Sequence, residues 1–260
     1  MQIFSPEPLL APGGAAAFRP LLPRVTVQTA LFLDFDGTLA EIASQPELVE
    51  VQQDLVATLQ AVARRLGAAL AIVSGRTLVD LDGFLSPLRL PAAAEHGAVQ
   101  RFSGAGVRRL AAPDLQAIEA LALALAAQHP GLRVEIKSAT VALHYRHAQE
   151  LEALCLQALV EAVKRTPGVD LIQGKCVFEI KPSGVSKGTA IQAFMAESPF
   201  AGRIPMFAGD DTTDEAGFVV VLAMGGQAIK VGAGKSVADY RCASPAQLRQ
   251  WLRSALEASP

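Results

Sequence analysis

The chain has 260 residues, long for one simple domain and short for two, so a domain carrying an insert is expected. Hydrophobic residues make up 51% and charged residues 18%, which excludes a disordered chain. A net charge of −2 leaves no basic excess for a nucleic-acid backbone or an anionic membrane surface, and 5% aromatics provide few platforms for stacked bases.

A mean hydropathy of +0.31 raises the question of a membrane span. The apolar runs Ala30–Leu33, Ala68–Val73 and Val219–Met224 all fall far short of the roughly 20 residues a spanning helix needs, and read as buried strands and packed helices. Met1–Pro20 is rich in Pro and Ala and lacks a basic start followed by an apolar core, so no signal peptide is expected and residues 1–25 read as an N-terminal arm. Cys155, Cys176 and Cys242 are scattered and odd in number, which argues against a disulfide framework or a zinc site and for a reducing cytoplasm.

In chain order, the first element is the apolar run Ala30–Leu33, ending in Asp34. Leu48, Val51, Leu55, Leu59, Val62 and Leu66 then recur at steps of three and four, predicting one amphipathic helix closed by Gly67. A buried strand, Ala68–Val73, runs into Ser74-Gly75-Arg76, completing the β-α-β unit of a parallel sheet. A helix from Thr77 and a strand over Leu88–Ala94 follow. From Val99 the rhythm changes: a helix over Asp114–Gln128, a hairpin of Leu132–Lys137 and Thr140–Arg146, a helix over Gln149–Arg165, then strands Val169–Gln173 and Cys176–Ile180. After Pro182-Ser183-Gly184 the α/β rhythm returns, with a helix over Lys187–Met195, strand Ile204–Ala208, a helix from Thr213, strand Ala228–Val231 and a last helix through Leu248, Leu252 and Leu256. The fold class is therefore α/β, a parallel-sheet core with an inserted α+β module. The boundaries are 26–98 for the first part of the core, 99–182 for the insert and 183–260 for the second part.

Three polar clusters follow apolar strands: Asp34 to Thr38, Ser74 to Arg76 and Gly209 to Asp214. In an open parallel sheet ligands bind at such strand ends. Asp34 and Asp36, two apart, face the same way along an extended strand end, and Asp210 and Asp211 add charge from a second strand. Carboxylates crowded in this way repel unless a cation lies between them, and an all-oxygen set suits Mg2+. Ser74 and Gly75 at a helix start make an anion site, and Lys187 offers a cation for phosphate charge. Taken singly, each cluster could be an Asp-Gly turn, a helix cap or a solvated lysine.

Asp34-Phe35-Asp36-Gly37-Thr38-Leu39 resembles the DxDGT nucleophile motif of the haloacid dehalogenase (HAD) phosphatases. Ser74 is similar to their second motif, Lys187 to their third and Gly209–Glu215 to their acidic fourth, in family order, with the insert between the second and third as in C2-capped members. The resemblance implies a Rossmann-like core with an α+β cap, Asp34 as nucleophile, and Asp36 as general acid and base. It further implies Mg2+ held by Asp34, the Asp36 carbonyl and Asp210, with Asp214 ordering metal waters or Lys187, and phosphate held by Thr38, Ser74, Gly75 and Lys187.

The phrases Ile72–Arg76, Ala94–Gly97, Leu143–Arg146, Phe178–Pro182 and Gly209–Glu215 resemble, more narrowly, the trehalose-6-phosphate phosphatase family. That resemblance implies that Glu135, Lys137 and Glu179 in the insert grip the sugar, with Arg76 contacting sugar or phosphate. The implied partner is a small sugar phosphate, trehalose 6-phosphate, with no nucleic acid, no membrane and a monomeric chain. The Glu135/Lys137 pair, two apart and on one face of a strand, could equally be a surface ion pair. The core motifs do not separate this substrate from sucrose 6-phosphate or mannosyl-phosphoglycerate, and a catalytically inactive sugar-phosphate sensor is the alternative outside enzymes.

Three lookalikes carry less. Gly232-Ala233-Gly234-Lys235-Ser236 lacks the leading Gly of a phosphate-binding P-loop, since position 229 is Ile229, and reads as a turn. His144 and His147 fall on opposite sides of a strand and read as structural, and His96 as a wall of the site.

Overall fold

The fold is that of a computed structural model, which describes residues 18–19, 21–43, 45–104, 106–111 and 113–257. The chain divides into two compact units, an insert over residues 109–185 and a core formed by the chain on either side of it. Most of the expected arm lies outside the described residues. Its last part is fastened to the core: Arg19 bridges to Tyr240 as a parallel partner, the Trp251 indole donates to the Pro23 carbonyl at 2.9 Å, and Val25 is buried.

The first half of the core runs β1 (Thr29–Leu33), α1 (Leu55–Arg65), β2 (Leu70–Val73), α2 (Leu78–Phe84), β3 (Ala92–Ala94), β4 (Val99–Arg101) and β5 (Val107–Arg109). The insert follows with α3 (Gln116–Gln128), β6 (Arg133–Ile136), β7 (Val141–His144), α4 (Glu152–Arg165), β8 (Val169–Gly174) and β9 (Val177–Pro182). The second half of the core is α5 (Lys187–Met195), β10 (Ile204–Gly209), α6 (Thr212–Ala223), β11 (Gln227–Val231), β12 (Tyr240–Cys242) and α7 (Pro245–Glu257).

The core sheet has eight strands in the order β12-β11-β10-β1-β2-β3-β4-β5. It is parallel from β12 to β3, and β4 turns back antiparallel to β3. Every residue of β1 and β2 is buried, as expected for strands covered on both faces. Phe32 of β1 stacks on Phe200 at 5.3 Å between ring centroids and meets Phe194 at 6.0 Å; truncation of such a buried ring to Ala costs about 3–5 kcal/mol.

Three expectations are corrected here. The helix predicted from Leu48 starts only at Leu55. Leu48, on the supposed stripe, is exposed, whereas Val49, off it, is buried with an extended backbone, so the periodicity ran through a loop. The insert begins later than Val99, because β4 and β5 pair within the core sheet. The edge strand β12 was not foreseen, since three residues carry too little pattern.

The insert is a four-stranded antiparallel sheet, β6-β7-β9-β8. Val141, Leu143, Leu171, Phe178 and Ile180 bury one face with Ile118 and Ala122 of α3 and Cys155, Leu159 and Val163 of α4. Side chains alternate along strands, so the opposite face carries the polar set. There Glu135, Ala142 and Glu179 form one row across β6, β7 and β9. No helix among the described residues is long and apolar enough to cross a membrane.

Candidate active site

The core site lies at the ends of β1, β2 and β10, where the parallel strands finish. Asp34 follows β1, and its amide donates to the Ala208 carbonyl of β10 at 2.9 Å. Lys187, the first residue of α5, donates from Nζ to Asp34 Oδ1 and to Asp214 Oδ1, both at 2.7 Å. Thr38 Oγ1 donates to Asp34 Oδ2 at 3.2 Å. Asp34, Thr38, Lys187, Asp210 and Asp214 are all buried.

Local sequence makes these placements. Ser186 caps α5 in a reciprocal box with Thr189, which sets Lys187 at the helix start. Asp211 caps α6, and the third helical residue, Asp214, closes that box. Asp214 Oδ2 accepts the amides of Asp210 and Asp211, each at 2.9 Å, so one side chain caps a helix, shapes the acidic loop and grips Lys187. Gly37 has φ +74°, and a Cβ there would lie 2.2 Å from Asp210 Oδ2; the loop after β1 can reach the second acid only without a side chain.

Carboxylate oxygens of Asp34, Asp210 and Asp214 lie within 4.8 Å of one another. Burial pushes the Asp34 carboxyl well above the usual carboxylate range; Lys187 pulls it down, and Asp214 and Asp210 push it up again. Burial by itself would lower the Lys187 ammonium, but Asp214 and Asp34 outweigh it and hold the group above its ordinary range, so it stays charged. The three buried carboxylates offer oxygen donors only. That set fits a hard divalent metal ion.

Two carboxylates expected to face the same way take different partners. Asp34 turns to Lys187, whereas Asp36 forms a two-pronged ion pair with Arg76, Nε to Oδ2 and the terminal NH2 to Oδ1, both at 2.7 Å. The same-face argument assumed an extended strand, but β1 ends at Leu33, and the Phe35 carbonyl accepts amides of Thr38, Leu39 and Ala40 in a tight turn. Arg76, expected at sugar or phosphate, is thus an Asp36 partner. Asp211, counted among the site acids, is a helix cap, its Oδ1 accepting the Thr212 amide at 2.8 Å.

Ser74 Oγ accepts the Arg76 amide at 3.2 Å. Glu95 and His96 adopt left-handed backbone, with φ 50° and 57°. Their amides donate to the carbonyls of Arg76 and Ser74, offsetting the strain, and the His96 ring covers Gly75, where a Cβ would sit 2.7 Å from Nε2. His96 is a wall of this loop. Lys230, buried in β11, donates from Nζ to the Asp210 carbonyl. It was missed, although a lysine inside the apolar strand Ala228–Val231 was a visible signal. The Gly232–Ser236 turn is held elsewhere, by Arg241 donating to the carbonyls of Gly232 and Gly234.

In the insert, the structure brings Glu135, Lys137 and Glu179 together. Lys137 Nζ is 2.8 Å from Glu179 Oε1 and 3.8 Å from Glu135 Oε1. Thr140 Oγ1 donates to Glu179 Oε1 at 2.7 Å, and His144 Nε2 lies 3.0 Å from Glu135 Oε2. Thr140 and His144 were not foreseen as members. Burial would raise the Glu135 carboxyl, but His144 and Lys137 overcome it and hold the group below its ordinary value. His147 is exposed and lies beyond β7. Sheet register explains the cluster: Ala142 lies between Glu135 and Glu179 in one row.

Comparison with known proteins places the chain in a family. The model of the trehalose-phosphatase family matches residues 32–246. A trehalose-6-phosphate phosphatase of Escherichia coli K12 is 42% identical over 232 residues, covering 88% of this chain and 87% of that protein. A probable trehalose-phosphate phosphatase of Sinorhizobium fredii is 41% identical over 206 residues, covering 78% of this chain and 77% of its own. Among solved structures, the C-terminal domain of the Candida albicans trehalose-6-phosphate phosphatase matches with a TM-score of 0.80 at 20% identity, covering 90% of this chain and 93% of that one, a likeness of fold. The chain belongs to the trehalose-phosphatase family.

Proposed function

We propose that the chain hydrolyses trehalose 6-phosphate to trehalose and phosphate through an aspartyl-phosphate on Asp34. The observation that carries the reading is the buried Lys187–Asp34–Asp214 constellation at the strand ends, in a chain 42% identical to a trehalose-6-phosphate phosphatase. Asp34 attacks phosphorus; the Asp34–phosphorus bond forms as the bond to the sugar oxygen breaks, and Asp36 gives that oxygen its proton. Asp36 then takes a proton from the water that cleaves the acyl phosphate, which restores the Asp34 carboxylate. Thr38, Ser74, Gly75 and Lys187 hold the phosphoryl oxygens, and Asp214 keeps Lys187 in place. Asp34, the Asp36 carbonyl and Asp210 would hold Mg2+, which supplies charge neutralisation to the phosphoryl group. In the insert, Glu135, Lys137 and Glu179 offer hydroxyls both donors and acceptors and are assigned to the sugar. Three free thiols suit a reducing cytoplasm.

The test is phosphate release from trehalose 6-phosphate beside glucose 6-phosphate and sucrose 6-phosphate, with Mg2+ and with chelator, and an Asp34→Asn blank. Metal-dependent release from trehalose 6-phosphate alone is expected. Release from another sugar phosphate instead would keep the core chemistry and sink the sugar assignment. No release from any would favour a sensor.

A further inference from the structure

Asp36 has the most demanding task in the proposed reaction and the least rigid seat. It lies on a turn beyond β1, and its side chain is 36% exposed. A proton donor must be held to within about 0.5 Å of its productive position, and a turn does not do that unaided. Arg76 supplies the constraint. Its guanidinium fork fixes both Asp36 oxygens in one plane. The fork is itself held, 4.9 Å from the Phe84 ring centroid and 6.0 Å from that of Phe35, and those two rings stack on each other at 5.4 Å. The Arg76 amide donates to Ser74 Oγ and its carbonyl accepts from Glu95, so the main chain at Arg76 is also pinned. Arg76 is only 12% exposed, so it is the anchored partner and Asp36 the steered one. A carboxylate offers about four acceptor positions and the fork takes two, which leaves each oxygen a position for a proton in transit.

We propose that Arg76 is the positioning residue for Asp36, aiming its carboxyl at the leaving oxygen. The inference rests on the phosphomonoester hydrolysis proposed above, with Asp36 as the acid. It separates two kinds of ester. A sugar oxygen must receive the Asp36 proton as its bond to phosphorus breaks, whereas p-nitrophenolate leaves as the anion. Misaiming Asp36 therefore harms the first ester more than the second, while a fault in phosphate binding or folding harms both alike.

The experiment is single-turnover cleavage of trehalose 6-phosphate and of p-nitrophenyl phosphate by the full chain with Mg2+, for wild type, Arg76→Lys and Arg76→Gln, with Asp36→Asn setting the scale. The rate ratio, p-nitrophenyl over sugar ester, is expected to rise about 100-fold in both Arg76 variants, the lower end of what a general acid contributes. Lysine keeps the charge but cannot form the planar fork, so it should not rescue. If Arg76→Gln fails to fold, Arg76→Lys carries the test. Equal losses on both esters would overturn the proposal, as would a wild-type ratio in Arg76→Lys. A wild type that cleaves p-nitrophenyl phosphate but not trehalose 6-phosphate would fault the substrate assignment alone, and glucose 6-phosphate would then serve as the sugar ester for the same ratio.

Discussion

The core and the insert each bury a lysine against carboxylates, and they do so to different ends. In the core, Lys187 draws in Asp34 from the end of β1 and Asp214 from the first turn of α6, and the cluster offers oxygen donors only. In the insert, Lys137 reaches Glu179 across the sheet, and Thr140 and His144 bring further polar groups to the two glutamates. The first arrangement is dominated by charged groups. The second is a largely buried row of donors and acceptors around a small Ala142. The two clusters thus come from separate stretches of chain, and each can be perturbed on its own.

The sharpest break is Asp34→Asn, which should lower phosphate release by about 10⁴-fold or more on every ester, as expected for loss of a nucleophile. Equal loss of only a few-fold would remove Asp34 from that role. Next is Lys187→Met. It strands Asp34 and Asp214, and removing one partner of a buried ion pair typically costs about 3–5 kcal/mol, so the urea midpoint should fall clearly in metal-free buffer. Added Asp34→Asn should restore part of the loss; a strictly additive double variant would count against coupling.

In the insert, Glu179→Gln should lower kcat/KM for trehalose 6-phosphate by about 10- to 100-fold, the worth of a hydrogen bond to a charged group. The loss on p-nitrophenyl phosphate should be much smaller, and parity between the two esters would take Glu179 out of sugar recognition. The smallest effect concerns acid stability. Glu135 has its proton affinity depressed in the folded state, so its contribution is complete above the unfolded-state pKa of about 4.3 and disappears as pH falls through the lower folded value. Urea titrations between pH 6 and pH 3 should therefore show a shallower acid limb for Glu135→Gln than for wild type, and identical limbs would contradict the shift.

Much of this was readable in advance because parallel sheets write themselves as unbroken apolar runs and leave their chemistry at the strand ends. Asp34, Ser74, Lys187, Asp210 and Asp214 were all placed by that logic with the motif text. The failures have local causes. Asp36 takes a different partner from Asp34 because the chain leaves extended backbone after β1. The pairing of Arg76 with Asp36 was not legible, because sequence does not reveal which nearby group a guanidinium takes. Thr140 and His144 joined the insert cluster through contacts with other strands, which no spacing within one strand discloses. Strands β4, β5 and β12 are three residues each, too short for alternation to speak.

The side chain of Asp214 has a consequence for how the loop moves. The amides of Asp210 and Asp211 belong to a turn at the mouth of a sheet, where exchange with deuterium is ordinarily fast. Here both point into one fully buried carboxylate that also ends a helix and holds a lysine from another. To open either amide, the α6 cap and the Lys187 contact must come apart with it. These two protons should therefore exchange as slowly as those of the interior strand β10, by an opening close to global unfolding. The acidic loop would then be rigid on the timescale of hours, with no melting event of its own.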